Sequence, residues 1–192
     1  MTVQPDADRF LERFRAFGAR PDVARYLALF HPDATLFDSG MERPITVPEI
    51  PEHIEGILKL APDFRMTPER WRLRGVTIFV EAHNQATLGD RRVEWPSVYV
   101  IDLRGDQVIR GRRYYDRRPL VSRVFPGIRS DAPATPDLDL ELLGWAGDGA
   151  LRFLEWRARG SVGGKPIAFG IAERLDHGAA RTYFDTLALS PP

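Results

Sequence analysis

Four side chains are the candidates to move protons or hold an anion: Asp38, His53, Arg113 and Tyr115. Arg113 and Tyr115 sit in the run Gly111-Arg112-Arg113-Tyr114-Tyr115-Asp116. In a strand, a period of two sends Arg113 and Tyr115 to one face and Arg112, Tyr114 and Asp116 to the other. An arginine on a pocket face can clamp a carboxylate, enolate or phenolate oxygen through two parallel N–H bonds; on an ordinary sheet face it would pair with Glu94 or Asp102. His53 falls beside Ile54 and Ile57 in a helical pattern, so it either carries a proton opposite Asp38 or stands partly exposed as a structural residue. Asp38 ends an apolar run before Ser39-Gly40, where a carboxylate is either an acid–base group or the start of an Asx-type turn.

The segments around these residues have readable periods. Asp6 or Asp8 caps a helix in which Phe10, Leu11, Phe14 and Phe17 recur at helical spacing, ending near Gly18. Pro21 and Asp22 start another, carrying Val23, Tyr26, Leu27 and Phe30, which His31-Pro32-Asp33 breaks. Ala34 to Phe37 reads as a short strand, and a third helix is predicted near Glu49 to Leu60. From Trp71 to Asp116 the period is that of strands, with hairpin signals at Gly89-Asp90 and Gly105-Asp106. Three helices followed by hairpins predict an α+β fold, a cone-shaped arrangement of three helices on a curved antiparallel sheet with a pocket between them. The aromatics Phe14, Phe17, Tyr26, Phe30, Trp71, Trp95 and Tyr99 either wall that pocket for a small hydrophobic or aromatic molecule or pack as ordinary core.

The strand pattern then returns. Trp71, Gly75, Glu81 and Gly89 correspond to Trp145, Gly149, Glu155 and Gly163, every pair 74 residues apart. Val93 and Trp95 meet Ile167 and Phe169 at the same offset, and Arg112 to Asp116 reappears, after a shorter hairpin, as Arg181 to Asp185. The division is therefore a first domain over 6–118, a proline-rich crossover over 119–144, and a half-repeat of the sheet, without helices, over 145–187. The half-repeat must bury one face, so it is expected to pack on the helix-free face of the first sheet or to continue its edge. That would make the protein a monomer with an internal pseudo-dimer, or a homodimer joined by another face.

Composition removes several function classes. Among 192 residues, 27 basic side chains balance 27 acidic ones, so no net field recruits nucleic acid. The absence of cysteine excludes disulfides and thiolate metal sites. Glu81, His83 and Asp38 would form a metal site only if brought together, and no recognised ligand spacing supports one, so no metal is expected. G-x-S-x-G, P-loop and G-x-G-x-x-G patterns are missing, and no cofactor is expected. The start of the chain lacks a signal-peptide pattern and no apolar run is long enough to span a bilayer, which makes a cytoplasmic protein without membrane contact the default.

The order of helix pair, Phe30-His-Pro-Asp-Ala-Thr-Leu-Phe-Asp-Ser-Gly40, third helix, then the strands from Phe79 to Asp116 resembles the nuclear transport factor 2-like superfamily. Within it the chain is most similar to SnoaL-like proteins, a group with polyketide cyclases, ketosteroid isomerase and limonene epoxide hydrolase. The resemblance implies a small-molecule pocket protein, an acid–base isomerase, cyclase or hydratase on an apolar or aromatic carbonyl compound, or a non-catalytic ligand-binding or assembly module on the same fold. It puts Asp38 where the isomerase carries its general base, with a pKa expected to be raised by an apolar pocket, and turns Arg113 and Tyr115 toward that pocket. Other parts of the isomerase are unmatched: Phe14 stands where an oxyanion tyrosine is placed, and the protonated aspartate aligns near Val98. The epoxide hydrolase pattern also departs, with Arg113 at the position of its catalytic aspartate.

Overall fold

The computed structural model describes residues 4–117, Leu120, 138–162 and 164–185. Helix α1 (Gln4–Ala19) buries Ala7, Phe10, Leu11, Phe14 and Phe17, which its 3.6-residue period lines up on one side. The Asp22 carboxylate accepts the Arg25 N–H at 2.7 Å and caps the single-turn α2 (Val23–Leu27). Phe30, expected on that helix, instead opens strand β1 (Phe30–Asp38). The cause is Pro32: the residue before a proline is pushed into extended backbone, so the chain leaves the helical region earlier than the apolar spacing implies. Proline's missing N–H is tolerated because the β1 register shifts between Phe30 and Thr35.

A short strand β2 (Ile45–Thr46) and one 3-10 turn (Val47–Glu49) lead into α3 (Ile50–Leu60), which buries Ile50 and Ile54. Strands β3 (Arg65–Arg74), β4 (Thr77–Leu88), β5 (Arg91–Arg104) and β6 (Gln107–Tyr114) follow as antiparallel neighbours. The sheet order is β2-β1-β6-β5-β4-β3, and β1 pairs with β6 in parallel. The sheet is thus mixed rather than wholly antiparallel, because β1 and β6 are joined by a long crossover through α3 and four strands. Ile78, Val80 and Ala82 turn toward the helices, and Phe79 and Glu81 toward the opposite face.

The second sheet comprises β7 (Leu138–Gly147), β8 (Leu151–Val162), β9 (Lys165–Asp176) and β10 (Ala179–Tyr183), in the order β10-β9-β8-β7. Its register copies the first at an offset of 74: Trp71 faces Val80 as Trp145 faces Leu154, and Thr77 faces Asp102 as Leu151 faces Asp176. Even the irregularity between Pro68 and Arg70 recurs between Leu142 and Gly144. Strand β7 starts at Leu138, inside the stretch read as crossover. The remainder of that stretch except Leu120, together with Gly163 and residues 186–187, lies outside the described residues.

This sheet covers the helix-free face of the first. Phe79 stacks on its own repeat mate Phe153, with ring centroids 6.1 Å apart, among Val98, Val100, Tyr114, Ala172 and Tyr183. Tyr114 donates to Glu155 Oε1 at 2.6 Å, and reciprocally Tyr183 donates to Glu81 Oε1. Arg112 and Arg174 complete the two clusters on Glu155 and Glu81. Reciprocal contacts of this kind are those of a two-fold interface, here within one chain. Among the described residues no helix is long and apolar enough to cross a membrane.

Candidate active site

The parallel ladder between β1 and β6 sets Asp38 directly beside Arg113. Arg113 Nε donates to Asp38 Oδ1 at 2.8 Å, and Nη2 donates to Oδ2, forming a fork on the carboxylate. Both side chains are nearly out of water, at 12 % and 7 % exposure. The neighbouring strand supplies Tyr99, whose hydroxyl accepts a long bond of 3.4 Å from Arg113 Nη1 and donates to Asn84 Oδ1 at 3.5 Å. Asn84 Nδ2 then donates to Ser97 Oγ at 2.8 Å and to the Trp95 carbonyl at 3.1 Å. The Arg113 guanidinium also lies over the Tyr115 ring, 4.8 Å from its centroid.

Helix α3 brings His53 over this cluster, with Nε2 3.6 Å from Asp38 Oδ2. Beyond them opens a cavity of about 300 Å³, lined by Asp38, His53, Arg113 and Tyr115 among apolar walls that include Phe64 and Trp95. The backbone after Asp38 makes a tight turn in which Met41 N–H donates to Asp38 O at 2.9 Å. Gly40 takes φ +88° there, and a Cβ would overlap the Arg117 guanidinium packed against it. Arg117 Nε in turn donates to Asp185 Oδ2 at 2.7 Å, so the end of the second sheet reaches the rim of the cavity. Ser39 fastens the turn to β6: its hydroxyl accepts the Tyr115 N–H at 3.1 Å, and its own N–H donates to Arg113 O at 3.1 Å.

The electrostatics correct one expectation. Burial alone would push the Asp38 carboxyl up, but the field and hydrogen bonds of Arg113, with His53 adding to them, hold it below the ordinary aspartate value. Asp38 is therefore held as the anion, where a raised carboxyl was expected. Burial pushes the Tyr115 phenol up, and the Asp38 charge adds to this, so the hydroxyl stays protonated and is a donor. Arg113 commits Nε, Nη1 and Nη2 to protein groups, so it is not a free clamp, and its partner is neither Glu94 nor Asp102.

The seven expected aromatics are dispersed. Only Trp95 lines the cavity beside Asp38. Phe14, Tyr26, Phe30 and Tyr99 surround a gap of about 20 Å³, roughly room for one water, and Phe17 packs tilted against Tyr26 with ring centroids 4.7 Å apart. These five pack the cone from inside, while Trp71 borders a separate depression on β3. Asn84, Ser97 and Ser39 were missed in the sequence. The signal for Asn84 was its parity, since it follows Val80 and Ala82 on the core-facing side of β4. Among the described residues no group of three or more His, Asp or Glu side chains could hold a metal.

Comparison with known proteins follows the same lines. Residues 7–111 match the SnoaL-like domain family. The chain superposes with a TM-score of 0.57 on AclR, a putative hydroxylase from Streptomyces galilaeus, at 18 % identity, covering 67 % of this chain and 87 % of that one. A putative SnoaL-like polyketide cyclase from Jannaschia sp. CCS1 gives 0.55 at 12 % identity, covering 62 % and 94 %. A protein with a ketosteroid isomerase-like fold from Catenulispora acidiphila, in complex with trimethylamine, gives 0.56 at 16 % identity, covering 66 % and 97 %. At such identities the likeness is one of fold. No curated protein sequence matched the chain.

Proposed function

Because the chain belongs to the SnoaL-like domain family, we propose that it handles a small apolar or aromatic carbonyl compound in the cavity beside Asp38, as a cofactor-independent acid–base isomerase, cyclase or hydratase. The observation carrying this reading is a buried carboxylate, held ionised by Arg113, next to an imidazole that shares an apolar-walled cavity with a phenol. Arg113 fixes Asp38 as an anion and, being fully engaged, does not touch the substrate. Asp38 orients His53 and stabilises the imidazolium formed when His53 takes a proton from the carbon next to the carbonyl. Tyr115 donates its hydroxyl to the oxyanion that develops, and His53 returns the proton at whichever carbon the enolate presents. Base and electrostatic anchor are thus two residues in this reading, His53 and Asp38, where the resemblance put the base on Asp38.

The test uses 2-tetralone in deuterated water, with deuterium incorporation beside the carbonyl followed by NMR. Wild-type protein should accelerate exchange by about 10²-fold or more over buffer, the range of a positioned base. His53→Ala should return it to background. Retained exchange in that variant removes the role from His53. A second reading, a non-catalytic binding or assembly module, is favoured by the side-chain-filled cone and the engaged Arg113; saturable binding with no exchange by the wild type would select it.

A further inference from the structure

A second cavity, a cleft of about 650 Å³, lies between the two sheets, on the face of the first sheet opposite Asp38. We propose that this cleft is a separate binding site for an organic anion in which a carboxylate is joined to a flat apolar body.

Charge is the first argument. Arg74, Arg110, Arg112 and Arg157 line the cleft, against only two carboxylates, Asp102 and Glu155. Both carboxylates are already satisfied. Asp102 accepts from Thr77 Oγ1 at 2.7 Å, Arg110 Nε at 2.7 Å and Arg112 Nη1 at 3.1 Å. Glu155 accepts from Arg112 Nε at 2.5 Å, Arg112 Nη2 at 3.1 Å and Tyr114 Oη at 2.6 Å. Arg112 is thereby spent and Arg157 is paired with Glu141 at 3.3 Å, but Arg110 commits only Nε, and Arg74 has no acidic partner among the described residues. Two guanidinium groups therefore face the cleft with N–H donors to spare, in the fork geometry that suits a carboxylate.

The apolar wall is the second. The Arg74 guanidinium lies 4.0 Å above the Trp145 ring centroid, while Trp145 and Leu143 remain 37 % and 42 % exposed. Phe79 lines the same cleft, facing Gly144. A bare inorganic anion would leave this wall in water; a flat apolar body would cover it.

The internal repeat supplies the third. Gly144 occupies the position that Arg70 holds in the first copy, and Asp176 is the mate of Asp102. There, Arg70 lines the smaller depression of about 520 Å³ beside Trp71 and is held by Asp176 at 2.6 Å. Glycine at 144 removes that side chain, and its backbone does not require glycine: an added Cβ would meet only the Phe79 ring, at an ordinary 4.0 Å.

The experiment is a titration of the full chain with sodium 2-naphthoate, by calorimetry and by the indole N–H signals in ¹⁵N-correlated NMR. The Trp145 indole signal should shift and that of Trp95 should not. Arg74→Gln should weaken binding by about tenfold or more, the worth of one charge-assisted contact. Gly144→Leu, which fills the cleft beside Phe79 without adding a charge, should weaken it by about tenfold or more with melting unchanged. The neutral 2-naphthalenemethanol should bind at least about tenfold more weakly. The proposal is overturned if naphthoate moves Trp95 instead of Trp145, if the neutral alcohol or inorganic phosphate binds as well as naphthoate, or if no saturation appears at millimolar ligand.

Discussion

Arg113→Met is the most informative single substitution, because it separates what holds Asp38 ionised from what merely surrounds it. It removes a guanidinium with 12 % exposure and leaves a carboxylate with 7 % exposure, with His53 Nε2 at 3.6 Å as the remaining cation-forming neighbour. Breaking one side of a buried ion pair costs about 3–5 kcal/mol, and the nearby imidazole places the expected loss toward the lower end, about 3 kcal/mol. Replacing both partners, as in Asp38→Leu with Arg113→Met, should recover most of that, to within about 1–2 kcal/mol of wild type, since no buried charge remains. The pH dependence gives the sharper readout. In the wild type the folded Asp38 carboxyl lies below its unfolded value, so its stabilisation is present above about pH 4 and is lost as pH falls through the folded value. In Arg113→Met the burial that pushes the carboxyl up is opposed only by His53, so acid penalises the variant less. Urea denaturation from about pH 7.5 down to about pH 4 should show the gap between the two proteins narrowing. A gap that stays constant with pH, or is below about 1 kcal/mol at neutral pH, would refute the pairing as the source of Asp38's ionisation.

Gly40→Ala should destabilise the protein by about 1–3 kcal/mol in the same assay, because φ +88° strains an L side chain and its Cβ overlaps Arg117; a neutral result would mean the turn relaxes freely. Glu155→Ala should cost about 1–3 kcal/mol, since Arg112 at 13 % side-chain exposure loses two bonds but keeps Asp102 at 3.1 Å, and Glu81→Ala about 3–5 kcal/mol by leaving Arg174 without its carboxylate. If both cost less than about 1 kcal/mol, the reciprocal clusters do not hold the sheets together. Light scattering should report either a single 21.8 kDa chain or a dimer joined away from Phe79 and Val98, whose face the second sheet already occupies; cross-links mapping a dimer onto those residues would contradict the internal pairing.

Much of the architecture was legible in the sequence because it is written in local periods. Apolar spacing located α1 and α3, turn glycines located the hairpins, and the offset of 74 carried the register of β3 to β5 onto β7 to β9 almost residue for residue. The parity of Arg113 and Tyr115, and the opposite parity of Arg112 and Tyr114, is also local, and each set turned out to share one face. The same spacing misread Phe30, since an aromatic at the helical interval looks alike in a helix and in a strand forced open by Pro32.

Which residue each charge meets was not legible. Asp38 and Arg113 are 75 positions apart and become neighbours only because β1 joins β6 in parallel, a pairing that no hairpin announces. That one ladder holds Asp38 ionised where a raised carboxyl was expected, occupies the expected clamp, and leaves His53 and Tyr115 facing the cavity. Likewise, the sequence shows a glycine at 144 where the first copy carries an arginine at 70, but only the packing of the two sheets sets that glycine in a cleft. Periodicity fixes the face a side chain occupies; the order in which strands associate, set by burial across the whole chain, decides its partner and therefore its charge state.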